Sequence, residues 1–316
     1  MILAAGMLHL GAHADPVSRY PEKPINIIVN FPAGGTIDVH ARIIGQKLTE
    51  KWGQPVVVQN LLGAGGNIGA AAAYAAAGDG YTLLATPPGP LSINQYLYKS
   101  LGFVPERFVP VTLMTMIPNV VTVRAGLPVK TLRELIAYAK ANPGKVTFAS
   151  QGSGSTSHLA AQMLANMAGL ELVHVPYKGQ GPALIDLAAD RVDLMISNVP
   201  SVTKYQEMGK ARMLAVAGPN RSSAAPEVPT AAEAGLPGFE NTAWFSLVAA
   251  PGTPMPIAEK LSSAIRDIMR QPDVQARFQA FGGEVVGNTP KEFGDFIARE
   301  RVMWKAVIDS AAIGMD

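Results

Sequence analysis

The sequence contains no cysteine. That excludes disulfides, thiol nucleophiles and every cysteine-ligated metal or cluster. Charge is also scarce, at 16% of residues, against about 25% in an average globular protein. Lys+Arg 26 against Asp+Glu 24 leaves a net charge of +2. With no basic cluster in the chain, neither a nucleic-acid footprint nor a polybasic membrane patch is expected. No segment reaches the roughly 18 uncharged apolar residues of a membrane span; Ala70 to Ala77 comes closest in composition and is too short. What is present is a 316-residue chain that is 48% hydrophobic, which excludes a disordered or coiled-coil protein. It suffices for one large domain or two of about 150 residues. Gly 31 and Pro 25 are high counts; placed singly at the ends of apolar runs, they signal many tight loops.

Met1 to Ala14 reads MILAAGMLHLGAHA, an apolar stretch ending in Ala12-His13-Ala14. It has the h-region and small-x-small cleavage site of a secretory signal, without the positively charged n-region. The alternative is an N-terminal strand or disordered tail. Export without disulfides fits a periplasmic protein.

From Ile25 onward, β-rich runs alternate with Gly- or Pro-rich loops and helical patterns. Ile25 to Phe31, Val56 to Gln59 and Tyr81 to Thr86 form one series of strands. Val146 to Ser150, Leu172 to Tyr177, Val192 to Ser197 and Met213 to Ala217 form a second. Short loops between alternating strands and helices imply mostly parallel sheets covered by helices. Strand-like passages at Asn119 to Val123 and Trp244 to Ala249 separate the two series, and the closing part from Pro256 is mainly helical. The expected organisation is a leader at 1–14, one lobe of 15–122 plus 247–316, and a second lobe of 123–246. The two passages would form a hinge.

The glycines carry the chemical information. PAGG (Pro32 to Gly35), GAGG (Gly63 to Gly66), QGSGST (Gln151 to Thr156) and KGQG (Lys178 to Gly181) each follow a strand and open a helix. Free backbone N–H groups and the positive end of the helix dipole project there, and they hold a carboxylate or phosphate without a formal cation. In open α/β sheets, ligands bind beyond the carboxyl ends of the strands. Taken singly each loop is equally an ordinary strand–helix turn; the set points to a small-anion site.

Catalytic patterns are missing. GAGGNIG lacks the dinucleotide register, no phosphate loop occurs, and Gly152-Ser153-Gly154-Ser155 is not a nucleophile elbow. His40, His158 and His174 show no metal-ligand spacing, so they read as structural, and no metal or cofactor is expected. Asp38 reads equally as a helix cap or a ligand contact. Tyr177 and Lys178 read as a packed aromatic and a solvated charge, or as cleft residues. Trp244 and Phe245 read as hinge core in preference to ligand contacts.

These residues also carry a resemblance. YPEKPINIIVNFPAGGTIDVHAR (Tyr20 to Arg42), GAGGNIG with GDGYTLL (Gly63 to Leu84), GPLSINQYLY (Gly89 to Tyr98), and Ser150 to His158 resemble the tripartite tricarboxylate transporter receptors of the Bug type. HVPYKGQGPALIDL (His174 to Leu187), RMLAVAGPNRS, VPTAAEAGLPGFE and TPKEFGDFIARE extend the match from about Tyr20 to Ile313. The resemblance implies an α/β, two-lobed periplasmic-binding-protein (Venus flytrap) fold. Each lobe would be a mostly parallel sheet flanked by helices, closing around a small organic carboxylate. It further implies a monomeric, non-enzymatic periplasmic receptor that delivers its cargo to a membrane permease. A sensor presenting ligand to a signalling partner, or a periplasmic enzyme acting on a carboxylate, are the alternatives.

The ligand-binding residues expected on this basis are Phe31, Pro32, Ala33, Gly34, Gly35 and Asp38 on the first loop. Gly65, Gly66 and Asn67 follow on the second, with Pro88 after the third strand. Lobe two would contribute Gln151, Gly152, Ser153, Gly154, Ser155, Thr156, Tyr177, Lys178, Ser197 and Asn198. Two departures from the family pattern stand out: Asp190 where relatives usually have Gly, and Ser197 where many carry an aspartate. The neutral hydroxyl of Ser197 in place of a carboxylate favours a ligand lacking an amino group.

Overall fold

The computed structural model describes residues 16–177 and 179–311; the expected leader Met1 to Ala14 and the candidate residue Lys178 lie outside them. The chain opens with strand β1 (Ile25–Val29), helix α1 (Thr36–Trp52), strand β2 (Val56–Asn60), helix α2 (Asn67–Tyr74) and strand β3 (Thr82–Thr86). The strands are parallel in the order β2-β1-β3. β1 is covered on both faces, which is why INIIV is almost wholly apolar. Ile25, Ile27 and Val29 pack with Ile44 and Leu48 of α1, while Ile28 turns the other way toward Ala70 and Ala73 of α2. Fully burying each such Ile or Leu contributes about 1.5–3 kcal/mol, so these alternating contacts fix the register of the lobe.

Strand β4 (Val109–Arg124) then runs through both halves of the molecule. Helix α3 (Leu132–Ala141), strand β5 (Val146–Ser150), helix α4 (Thr156–Ala168), strand β6 (Leu172–Pro176), helix α5 (Gln180–Ala188) and strand β7 (Leu194–Asn198) build the second lobe. Here β6-β5-β7 are parallel. Helix α6 (Val199–Glu207) and strand β8 (Ala211–Ala217) complete it, and strand β9 (Thr242–Ala249) returns to the first lobe. Helices α7 (Met255–Met269) and α8 (Pro272–Gln279), strand β10 (Glu284–Val285) and helix α9 (Pro290–Ala311) close the chain.

The expected α/β, two-lobed fold is present. β4 changes partners midway: Val109 to Pro118 pair antiparallel with β9, and Asn119 to Arg124 pair antiparallel with β7 and β8. The parallel strands expected from the sequence are confined to the outer part of each lobe; β4, β8, β9 and β10 add antiparallel pairs around the crossing. The expected strand at Asn119 to Val123 is only the last third of β4. Pro110 and Pro118 mask the rest in the sequence, because proline is rare inside strands; register shifts after Pro110 and Leu113 accommodate it.

Helix α9 spans the two lobes. Phe293 and Ile297 pack into lobe one beside Trp244, whereas Trp304, Val307 and Ile308 pack with Leu159 and Leu164 of lobe two. Between them Glu300 Oε2 accepts from Trp244 Nε1 at 2.7 Å and Trp304 Nε1 at 3.1 Å. Among the described residues, no helix is long and apolar enough to cross a membrane.

Candidate functional site

A cavity of about 530 Å³ lies between the lobes. Lobe one supplies Phe31, Pro32, Gly35, Thr36, Ile37, Gly65, Pro87, Pro88, Gly89, Ile93, Asn94, Leu97 and Tyr98. Lobe two supplies Gln151 to Thr156, Gln180 and Asn198, with Ala243 and Phe245 entering from the start of β9.

Helices α1, α4 and α5 begin at this cavity. α1 has Gly35 at its N-cap with no side-chain cap, so the amides of its first turn remain available. α5 starts at Gln180 after Gly179, again without a side-chain cap. α4 starts at Thr156, where Ser155 Oγ accepts from the His158 amide at 3.3 Å. The dipoles of α1 and α4 approach the cavity from opposite lobes, so both walls favour negative charge. No charged side chain occurs among the described lining residues.

The loops are held by their own buried polar groups. Asp38 sits in the first turn of α1, where its carboxylate accepts from Gly34 N (2.9 Å), Asn60 Nδ2 (2.9 Å) and Arg42 Nε (3.0 Å). Burial opposes its ionisation, but the bonds from Arg42, Gly34 and Asn60 together hold its carboxyl below the usual carboxylate range. Opposite, Asn94 Nδ2 donates to Gly65 O at 3.1 Å and to Asn67 Oδ1 at 2.6 Å, fixing the second loop. The lobe-two loop is knitted by Ser155 Oγ donating to Gly152 O (2.6 Å) and Gln151 N donating to Ser157 Oγ (2.9 Å). Gly154 N donates to His158 Nδ1 at 3.1 Å, and the His158 ring stacks on His174 at 3.9 Å. Burial, with His174 alongside, pushes the His158 imidazole down to about 4.

Of the expected residues, Phe31, Pro32, Gly35, Gly65, Pro88, Gln151 to Thr156 and Asn198 line the cavity together. The other expected residues that the structure describes do not line it. Ala33 and Gly34 are exposed, between Pro32 and Gly35 of the cavity wall. Asp38 is buried and saturated by its three donors. Gly66 and Asn67 form the layer beneath, against Asn30 and Asn94. Tyr177 turns away so that its hydroxyl donates to Asp186 at 2.8 Å. Ser197 is buried within β7, its Oγ unpartnered among the described residues. Adjacent strand residues face opposite ways, so Asn198, not Ser197, reaches the cleft.

The sequence reading missed Thr36, Ile37, Pro87, Gly89, Ile93, Asn94, Leu97, Tyr98, Gln180, Ala243 and Phe245. Gln180 and Phe245 lay inside segments it had singled out, and so did Gly89 to Tyr98, which carried the family resemblance but was given no ligand-binding role; it folds as the one-turn π-helix Gly89–Ile93 and the turn Asn94–Leu97. Trp244, in contrast, is fully buried. Among the described residues, no group of His, Asp and Glu is placed to hold a metal. A hollow of about 750 Å³ on lobe two is larger and is lined by Lys130, Arg133, Arg212, Glu227 and Glu233. It belongs to one lobe and no strand-to-helix glycine loop opens on it, so the interlobe cavity is the better ligand site.

The family model for the tripartite tricarboxylate transporter family receptor matches residues 40–313. Protein BugT of Bordetella pertussis is 40% identical over 299 residues, covering 93% of this chain and 92% of that protein. The solved structure of R. palustris Rpa4515 with adipate superposes with a TM-score of 0.80 at 34% identity, covering 94% of this chain and all of the other. MatC from Rhodopseudomonas palustris with bound malate gives a TM-score of 0.76 at 33% identity, over 92% of this chain and 100% of that one.

Proposed function

The chain belongs to the tripartite tricarboxylate transporter receptor family, and from that premise we propose that it is a periplasmic receptor for a small organic carboxylate. It captures the ligand between its lobes and passes it, unchanged, to a membrane permease. The observation that carries this reading is the pair of helix N-termini, α1 and α4, facing one cavity from opposite lobes with no charged side chain in the described lining. Backbone amides and the hydroxyls of Ser153 and Thr156 bind a carboxylate while leaving it chemically untouched. No nucleophile–base pair sits among the lining residues described.

The same wall selects against amino acids. A buried ammonium needs a carboxylate or several acceptors. Asp38, the acid at the start of α1, is already engaged and buried away from the cavity. The ligand is therefore a carboxylate without an amino group, as are the adipate and malate of the two solved relatives. The bodies that close are residues 16–118 with 242–311, and 119–241, split where β4 changes partners and β9 begins. These boundaries fall a few residues before those expected from the sequence.

Calorimetry with the matched pair glutarate and glutamate tests the selection. Glutarate should bind at least tenfold more tightly, about 1.4 kcal/mol. Tighter binding of glutamate would defeat the reading.

A further inference from the structure

Three asparagines join the cavity to the crossing between the lobes. Asn198 lines the cavity at the end of β7, and its Nδ2 donates to Asn119 Oδ1 at 3.1 Å. Asn119 Nδ2 donates in turn to Asn241 Oδ1. Asn119 is the residue at which β4 leaves β9 and begins to pair with β7 and β8, and Asn241 immediately precedes β9. The backbones meet at the same point, with Asn119 N donating to Asn241 O at 3.2 Å and Asn241 N donating to Ala217 O at 2.8 Å. Asn119 and Asn241 are both buried.

A carboxamide has two N–H groups and one acceptor oxygen. With Asn119 Nδ2 committed to Asn241 Oδ1, Asn119 Oδ1 takes one N–H of Asn198 and disfavours a flip of Asn198 alone, which would set oxygen against oxygen. The second N–H of Asn198 is then left for a carboxylate in the cavity. At the other end of the chain of amides, Asn241 Nδ2 is buried and has no partner among the described residues. A buried donor left unpaired is a local weakness, and here it sits on the axis about which two lobes would turn. Rotation that opens the crossing would hydrate it.

We propose that Asn119 is a positioning residue for ligand capture, orienting the Asn198 amide toward the carboxylate and, through Asn241, coupling that amide to the lobe angle. The inference rests on the receptor reading above. Because the chain has no cysteine, spin labels can be placed cleanly at Lys51→Cys on lobe one and Lys140→Cys on lobe two. Electron–electron double resonance then reads the interlobe distance without ligand. Asn119→Ala should broaden or lengthen that distance with an unchanged circular dichroism spectrum; an unaltered distribution overturns the coupling. Asn241→Ala keeps the Asn119 acceptor for Asn198 and removes the partner of Asn119 Nδ2 at the crossing. It should show the same change in distance, and it decides the question if the Asn119→Ala variant does not fold.

Adipate is the probe for the orienting role. Asn198→Ala and Asn119→Ala should each weaken it about tenfold, and the double variant should be no weaker than Asn198→Ala alone. A hundredfold loss in the double variant means independent effects and overturns the relay. If adipate and malate fail to bind even the unsubstituted chain, the carboxylate reading fails, while the interlobe distance still decides the coupling.

Discussion

Gly66 and Gly34 both adopt left-handed backbone, with φ of +91° and +79°, yet replacing them by alanine should have unequal effects. The conformational cost of an L-residue there is about 1–2 kcal/mol at either site. Alanine also stiffens the unfolded chain, recovering about 0.4–1 kcal/mol in both cases. The difference lies in space. A Cβ on Gly34 meets nothing within 4 Å, whereas one on Gly66 would fall 2.8 Å from Asn30 Nδ2 and 2.9 Å from Phe31 Cε2. Asn30 is pinned, since its Nδ2 also donates to Thr86 Oγ1 at 2.8 Å and to Gly66 O at 3.1 Å. Overpacking of that kind adds about 1–3 kcal/mol. Gly66→Ala should therefore be less stable than Gly34→Ala by that margin in guanidinium unfolding. It should also weaken adipate binding, because Phe31 must shift in the cavity wall. Equal stabilities within about 0.5 kcal/mol, or lost binding in Gly34→Ala alone, would refute the reasoning and place the ligand against the exposed turn.

Acid should destabilise the fold through its buried histidines: burial holds His40 down to about 3 and His158 to about 4. The unfolded chain takes up these protons first, so stability should be complete above about pH 6.5 and fall as pH drops toward 4 and then 3; a pH series of unfolding midpoints that is flat over this window contradicts it. Glu300 behaves oppositely, because burial raises its carboxyl despite the bonds from Trp244 and Trp304. The native state keeps its proton longer than the unfolded chain, so its contribution is full at low pH and is lost as pH rises past about 4.3. Glu300→Gln retains an acceptor for both indoles, and should hold or raise the midpoint at pH 8 relative to the unsubstituted chain; a lower midpoint there would mean the charge itself stabilises α9. Native protein should begin near Asp15 on N-terminal sequencing, and an intact Met1 would defeat export.

Much of this was legible in the chain because periodicity and glycine placement are local. Val146 to Ser150 stands as a strand in both readings, bounded by the Gly144 turn and the QGSGST loop. The glycine loops identify where the cavity lies, since free amides at strand-to-helix turns follow from backbone geometry alone. What stayed hidden depends on tertiary placement or on single-residue parity. Ile93, Leu97 and Phe245 reach the cavity only because α9 and β4 bring their segments to the cleft. Ser197 and Asn198 differ by one residue, and in a strand one residue is the choice between core and cleft. Asp38 could be read as cap or ligand contact; its partners Arg42 and Asn60 come from the same helix and a neighbouring strand, and only the fold shows that they fill it.

The central claim is that the interlobe cavity holds one small carboxylate without an amino group and releases it intact. Mass spectrometry of the ligand freed by mild denaturation of the protein purified from its native source measures this directly. The account predicts a single organic acid, one per chain, of unchanged mass after prolonged incubation with the refolded protein. An amino acid, a phosphorylated compound, or a ligand converted to product during incubation would contradict it.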